Sequence, residues 1–168
     1  MDLIHFFSHQ LDRELPISRR VLGRVPEDQA GGKPHDTSME LGSLATLVAN
    51  MPMWIALIVG RDELDIEPKE GKGVRPEPWK TRQELLAQFD QAAEQGRAAL
   101  MGTSENFLAT KWKLLAGGKV MDERPRHEVI ADTLCHAAHH RGQLSVYLRM
   151  LEIPITSIYG PSADDKSS

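Results

Sequence analysis

The sequence has very little cysteine: Cys135 is the only one among 168 residues. A single cysteine excludes a disulfide bond within the chain and is typical of proteins in a reducing compartment. Its neighbour His136 leaves open a reactive thiolate, but we favour a buried, unreactive thiol. We therefore expect a protein without structural disulfides.

The sequence also lacks a basic stripe and a long apolar run. Acidic and basic residues are interspersed and give a net charge of −4, so the pattern does not indicate a surface for a phosphate backbone. No stretch approaches the ~18 consecutive apolar residues of a membrane span, and the N-terminal residues do not resemble a signal peptide. We expect a cytoplasmic protein that binds neither nucleic acid nor a membrane.

What the chain does contain is a helical pattern. With 168 residues and 40% hydrophobic content, residues 1–168 suit one globular domain. Apolar residues recur at intervals of three and four in four long segments, which predicts amphipathic helices. The predicted spans are residues 3–22, 37–60, 81–102 and 126–151. The pattern therefore favours an all-α fold, a helical bundle whose interior can hold a site.

Local signals mark where these helices begin and how they are connected. Thr37 with Glu40, and Thr81 with Glu84, have the spacing of capping boxes at the starts of the second and third helices. Residues 62–78 are charged and rich in Gly and Pro, so they are predicted to be an exposed connection that crosses the molecule. Residues 111–115 and 119–121 flank a Gly-Gly pair, which predicts a small β-hairpin between the third and fourth helices. The tail, about 154–168, is expected to be extended.

The segment CHAAHHRGQLSVYLRML, residues 135–151, carries the most informative pattern. His136 and His140 lie one helical turn apart, so their ring nitrogens can converge on one ion. The stripe that contains them is predicted to face the core. Its members are Val129, Thr133, His136, His140, Leu144, Tyr147 and Leu151. Two imidazoles there are either metal ligands or a hydrogen-bonded pair of core side chains, and the spacing alone leaves both open.

Several residues near the pair have two interpretations each. Arg141 and Gln143 can orient the imidazoles, because ligating histidines require a partner on the other nitrogen, or they can fix the tail at residues 159–161. The Tyr147 hydroxyl can bind a ligand or satisfy a nearby backbone group. Gly142 costs about 1 kcal/mol relative to Ala within a helix, and a close helix approach would explain it.

Five segments together resemble the DinB/YfiT-like proteins over nearly the whole chain. They are VLGRVPED, HDTSMELGSLA, LVANMPMW, HAAHHRGQLSVYLRML and IPITSIYGPSADD. The resemblance implies an up-down-down-up four-helix bundle, usually a homodimer. It also implies a divalent metal, typically zinc or nickel, held by three histidines in a pocket between helices.

Two of the ligands implied by the resemblance are His136 and His140. The third would come from the family pattern LAxHVA on the second helix, where this chain has Leu47, which cannot coordinate a metal. Three protein ligands leave one position for water or substrate, as a catalytic zinc requires, whereas two imidazoles chelate an ion poorly. The resemblance therefore implies a degenerate metal site. His9 and Glu14 of the first helix are further donors to which we assign no ligand role.

Two functions from different classes follow. The resemblance implies a metal-dependent enzyme, a thiol S-transferase or hydrolase, in which the ion lowers the pKa of a bound water or low-molecular-weight thiol. The alternative is a metal-free dimeric stress-response or small-ligand-binding protein that retains the histidines as a hydrogen-bonded pair. Leu47 favours the alternative. Under both, the expected partners are a second copy of the chain and a small molecule.

Overall fold

The computed structural model describes residues 2–71, 73–74 and 76–166. The helices are α1 (Leu3–Leu22), α2 (Leu41–Gly60), α3 (Arg82–Met101), α4 (Glu105–Leu108) and α5 (Arg126–Met150), with a 3-10 helix at Glu27–Gln29. The strands are β1 (Glu63–Asp65), β2 (Lys111–Ala116) and β3 (Lys119–Pro125). The predicted helical character is confirmed, and the all-α class is corrected to a mostly helical fold with one small sheet.

The helix starts show one capping prediction confirmed and one wrong. Thr81 and Glu84 form the predicted capping box at the start of α3. The start of α2 differs, because Glu40 occupies the cap position without a side-chain hydrogen bond to the backbone. The Thr37 hydroxyl is engaged by the ring of His35, with 2.9 Å between Oγ1 and Nδ1. The predicted box of Thr37 and Glu40 is therefore wrong.

The four long helices pack around one core. α1 contacts α3, α3 contacts α2, α2 contacts α5, and α5 returns to α1. Two exposed ion pairs join α1 and α3 in reversed order along the chain: Arg19 with Asp90 at 2.8 Å, and Asp12 with Arg97 at 2.7 Å. These two helices therefore run antiparallel. The buried side chains between the helices include Leu11, Leu44, Val48, Ile55, Phe89, Ile130 and Leu144.

Helices α2 and α5 also run antiparallel, because their contacts join opposite ends. Arg126, the first residue of α5, donates to the carbonyl oxygen of Ile58 near the end of α2. Near the end of α5, the Tyr147 hydroxyl donates to the carbonyl oxygen of Met39, just before α2, at 2.9 Å. The two helices therefore share one long contact that contains the predicted site.

The small sheet packs beside the helices and extends the predicted hairpin. β2 and β3 are antiparallel, and the turn between them has Gly117 and Gly118 at φ values of 60° and 82°. Positive φ at both central residues is what a type I′ turn requires. β1 adds to the other edge of β2 in parallel. This strand lies in the segment predicted to be an exposed connection, and Asp65 at its end accepts hydrogen bonds from both turn glycines.

Helix α2 is the one helix, within the residues that the structure describes, that is long and apolar enough to cross a membrane by length and composition. It also lies at the centre of the fold, in contact with both α3 and α5. Core helices pass the same test, so the feature is a weak indication of a membrane span.

The C-terminal tail follows α5 without a helix or strand up to residue 166. It bends back on itself, because the Ser162 hydroxyl donates to the carbonyl oxygen of Ile155 and the Asp165 carboxylate accepts from the backbone N–H of Ser157. Residues 167–168 of the predicted tail lie outside the described residues.

Candidate functional site: a histidine pair on helix α5

The rings of His136 and His140 meet on one side of α5. Their Nε2 atoms are 2.7 Å apart, and their ring centroids are 4.5 Å apart. At this distance the two nitrogens share one proton in a hydrogen bond. For both to ligate one ion, the pair would have to open slightly, since two nitrogens at ~2.0–2.1 Å from a tetrahedral zinc are about 3.3 Å apart, and His136 would have to release the shared proton from Nε2. The predicted convergence of the pair is therefore present.

Gln143 orients the second ring of the pair. Its Oε1 lies 2.7 Å from Nδ1 of His140. An amide oxygen only accepts hydrogen bonds, so Nδ1 of His140 carries the proton and Nε2 of the neutral ring presents a lone pair. That tautomer is the one required for ligation through Nε2, and the contact is of the kind that orients metal-binding imidazoles.

The pair lies at the edge of the core and not within it. His136 is exposed and His140 is half-buried. The buried residues of α5 are Arg126, Ile130, Thr133, Arg141, Leu144 and Leu148. At 3.6 residues per turn, this face is rotated by roughly 60° from the predicted stripe. The prediction that both imidazoles face the core is therefore wrong.

Two buried arginines account for the rotation of α5. Arg126 and Arg141 are each only 1% exposed. Arg126 donates to the carbonyl oxygen of Arg61 at 2.6 Å and to the carboxylate of Asp62 at 2.8 Å, in addition to its contact with Ile58. A buried guanidinium is tolerated only where its donors are paired in this way. A prediction from the hydrophobic pattern places arginine on the surface. It therefore assigns a different face of α5 to the core.

Arg141 is held by a polar cluster formed with α1 and the tail. Its guanidinium donates to the carboxylate of Glu14 at 2.6 Å, to the hydroxyl of Ser18 at 2.9 Å, and to the hydroxyl of Tyr159. The Tyr159 hydroxyl in turn donates to Glu14 at 2.8 Å. Of the two roles considered for Arg141, its hydrogen bonds among the described residues correspond to fixing the tail.

The pKa values of Glu14 and His136 are both lowered, but by different surroundings. Burial alone would raise the pKa of Glu14, but hydrogen bonds from Arg141 and Tyr159 lower it below its ordinary value. Glu14 is therefore an ionised, engaged partner of Arg141. The protein around the His136 ring partly desolvates it, although the residue is exposed, and with the nearby His140 and His139 rings this lowers the pKa of His136. The neutral form of His136 thus persists to a lower pH.

Leu47 lies at the level of the histidine pair. The contacts at the two ends of α2 and α5 fix how the two helices are aligned along their axes. When equal numbers of residues are counted along both helices from either contact, Leu47 is level with the part of α5 between His136 and His140. Leu47 is half-buried and has no donor atom. Within the described ranges, no group of three or more His, Cys, Asp or Glu side chains is placed to hold a metal ion. The donors present therefore fit two positions of a coordination sphere, and they do not form a three-histidine centre.

The other predicted residues lie beside the pair. Tyr147 uses its hydroxyl on the backbone of Met39, which is the second of the roles considered for it. Cys135 is exposed, so the expectation of a buried thiol is wrong, because this position lies on the side of α5 opposite its buried residues. A Cβ added at Gly142 would have no atom within 4 Å, so the expected close helix approach is not found at this glycine.

Three similar solved structures carry the DinB name. A DinB-like protein from Bacillus cereus ATCC 10987 matches with a TM-score of 0.70 and 17% identity over 91% of this chain and 95% of that chain. A DinB-like protein from Bacillus subtilis matches with a TM-score of 0.65 and 15% identity over 88% and 95%. A candidate DinB family member from Exiguobacterium sibiricum 255-15 matches with a TM-score of 0.60 and 17% identity over 90% and 93%.

These matches extend over almost the full length of both chains, so they concern the whole domain. No protein-family model matches the sequence, and no curated protein matches it significantly. At this level of identity the agreement concerns the fold, and it confirms at that level the resemblance inferred from the sequence. This chain has the fold of the DinB-like proteins.

Proposed function

We propose that this protein is a DinB-like metal-dependent enzyme whose metal centre has two protein imidazoles in place of three. One observation carries the proposal: the Nε2 atoms of His136 and His140 face each other at 2.7 Å while Gln143 holds the proton of His140 on Nδ1. A pair with only a structural role requires the hydrogen bond between the two Nε2 atoms. The contact with Gln143 additionally leaves a lone pair of His140 at the point where an ion would lie.

The proposed frame of this site is an up-down-down-up four-helix bundle. Two features support it: α1 is antiparallel to α3, and α2 is antiparallel to α5. The long connection between α2 and α3 is compatible with these two helices running in the same direction. In such a bundle the histidine pair lies along the contact of α2 with α5, open to solvent on one side.

In the proposed mechanism, each residue of the site has a separate task. His136 and His140 would hold a divalent ion such as zinc or nickel, which when bound supplies Lewis-acid chemistry that lowers the pKa of a coordinated water or thiol. Gln143 keeps the lone pair of His140 in place. The lowered pKa of His136 keeps this ring neutral in mildly acidic solution, and protonated imidazole cannot ligate. Leu47 offers no donor atom, so water or a group of the substrate would have to complete the coordination.

By the resemblance, the reaction proposed is thiol S-transfer or hydrolysis, with a low-molecular-weight thiol as cosubstrate in the first case. We also propose that the protein is a cytoplasmic homodimer. The exposure of His136 supports a site that a small molecule reaches directly from solvent.

A second candidate function is favoured by one observation, the lack of a third donor near the pair among the described residues. In that case the 2.7 Å contact is a hydrogen bond between neutral imidazoles. The protein would then be a metal-free stress-response or small-ligand-binding protein, and the pair would act through hydrogen bonding alone.

Metal analysis separates the two candidates. The protein is purified without nickel affinity chromatography, incubated with excess zinc or nickel, desalted and analysed for metal. We expect one equivalent per chain, which is lost in His140→Ala and retained in His139→Ala, a matched control whose ring lies 5.0 Å from that of His140. Absence of metal in the wild type after incubation would refute the metal-dependent function and leave the second candidate.

A further inference from the structure

A cleft of about 280 Å³ lies at the end of α5, on the same side of the helix as the histidine pair. We call it the Lys33 cleft. Its walls include Lys33, Leu41, Tyr147, Met150 and Leu151. The cleft is thus formed by the start of α2, the loop before it and the last turns of α5.

The cleft and the pair are aligned along one helix. Tyr147 follows His140 by two turns, which corresponds to roughly 10 Å along the axis and to nearly the same angular position. The Tyr147 hydroxyl is fixed on the backbone of Met39, so the ring is held as a wall of the cleft. A molecule that fills the cleft can therefore extend along the exposed side of α5 to His140.

The lining determines the chemistry of the occupant. Aliphatic side chains and one aromatic ring form most of the wall, and Lys33 is the one charged side chain among the described residues that line it. The nearest carboxylate oxygen of Glu40 lies 3.7 Å from the Lys33 ammonium, and both side chains are well exposed, at 38% and 50%. Such a long, solvated ion pair contributes little. The ammonium is thus available to an incoming anion.

We propose that the Lys33 cleft binds a small organic acid, with its carboxylate paired to Lys33, its apolar body against Leu41 and Met150, and its far end directed toward the histidine pair. This names the substrate class of the site and rests on the proposed function only in placing the reaction at the histidine pair. The volume is near the lower end of small-molecule sites, which suits a chain or ring of modest size.

The test uses sodium octanoate and protein treated with EDTA, followed by calorimetry. We expect saturable binding that weakens by at least about tenfold in Met150→Asp, because the new carboxylate removes an apolar wall and repels the ligand. Met121→Asp is the matched control and should bind like the wild type, since Met150 and Met121 are 59% and 60% exposed and Met121 lies on β3. Lys33→Gln should weaken binding of octanoate and leave binding of 1-octanol unchanged.

A second readout tests the direction of the ligand. Octanoate should shift the ring resonances of His140 in the NMR spectrum of the same metal-free protein. Absence of binding at millimolar octanoate, equal losses in Met150→Asp and Met121→Asp, or unchanged His140 resonances would each overturn the proposal. Because no metal is present, these outcomes are independent of whether the pair binds zinc.

Discussion

His140 and Arg141 are consecutive residues of α5 with opposite surroundings. Arg141 is buried, and its guanidinium is held by Glu14, Ser18 and Tyr159 from α1 and the tail. His140 is half-buried at the edge of the core, where its ring meets one amide and a second imidazole. One side of the helix therefore uses its polar groups within the protein, and the other presents them toward solvent.

Polar groups that maintain the fold differ from those available for function in where their hydrogen-bond partners lie. Arg141 has fixed partners from two other segments, so removing it would disrupt contacts that hold α1, α5 and the tail together. The histidine pair contacts only its own helix in the hydrogen bonds that orient it. A group of this kind contributes little to holding helices together, and its nitrogens are free to exchange a proton contact for an ion or ligand.

The largest effect should come from a substitution on the buried side of α5, at Arg141. Arg141→Met leaves the Glu14 carboxylate without its main partner in a largely buried position, where loss of one member of an ion pair typically costs about 3–5 kcal/mol. We expect a loss of that order in the free energy of unfolding measured with urea. Arg149→Met removes an exposed pair with Asp164, which solvent screens, and should cost far less. Equal losses in both variants would contradict the distinction.

The next largest effect should come from adding a third ligand to the histidine pair on the exposed side of α5. Leu47→His supplies a third imidazole at the level of the pair, and we expect zinc affinity to rise by at least about tenfold, or about 1.4 kcal/mol, in calorimetric titration. Leu57→His is the control, because Leu57 is also half-buried on α2 but lies two to three turns away. An unchanged affinity in Leu47→His would show that α2 does not present this position to the pair.

Hydrophobic periodicity and turn chemistry made much of the fold predictable. The first helix was predicted with its observed bounds, Leu3–Leu22, and Gly117 and Gly118 form the predicted turn. Local signals suffice for such elements, since each depends on neighbours in the sequence. β1 has three residues and pairs with a strand distant in sequence, so no local pattern distinguishes it from a loop.

The site was predictable in its spacing and not in its burial. Helical geometry alone brings His136 and His140 together. The orientation of α5 depends on partners for Arg126 and Arg141 that come from other elements, and a hydrophobic pattern assigns every arginine to the surface. The two arginines do lie about four turns apart on one face, and that regularity is the signal that could have indicated an inward polar side.

A smaller effect on stability is expected from replacing glycine by alanine, and its sign should differ between an exposed and a buried position. Gly142 faces open space, and alanine there should stabilise the protein by about 0.5–1 kcal/mol, because it favours the helix and meets no neighbour. Gly96 is the contrasting position, where a Cβ would lie 2.6 Å from the carbonyl oxygen of Pro52. Thermal or urea unfolding should show Gly142→Ala above the wild type and Gly96→Ala below it. A destabilised Gly142→Ala would indicate a contact on the outer side.

The smallest expected effect is a pH dependence of stability. The pKa of His136 is lowered in the folded protein, so below its ordinary value of about 6.5 the unfolded chain binds a proton that the folded chain does not. The contribution of the neutral His136 ring to the free energy of unfolding is fully present above that pH. It is lost as the pH falls through the lower pKa that His136 has in the folded protein. His136→Gln should therefore show a flatter decline of unfolding free energy from neutral to mildly acidic pH than His5→Gln, a control at an exposed histidine on α1. Parallel profiles would contradict the desolvation of His136.

The most direct test of the two-imidazole centre is anomalous diffraction at the zinc absorption edge from crystals of EDTA-treated protein soaked with zinc. We expect one strong peak within ~2.0–2.1 Å of Nε2 of both His136 and His140. A map with no peak between these nitrogens, in crystals where the pair is exposed to the soak, would contradict it.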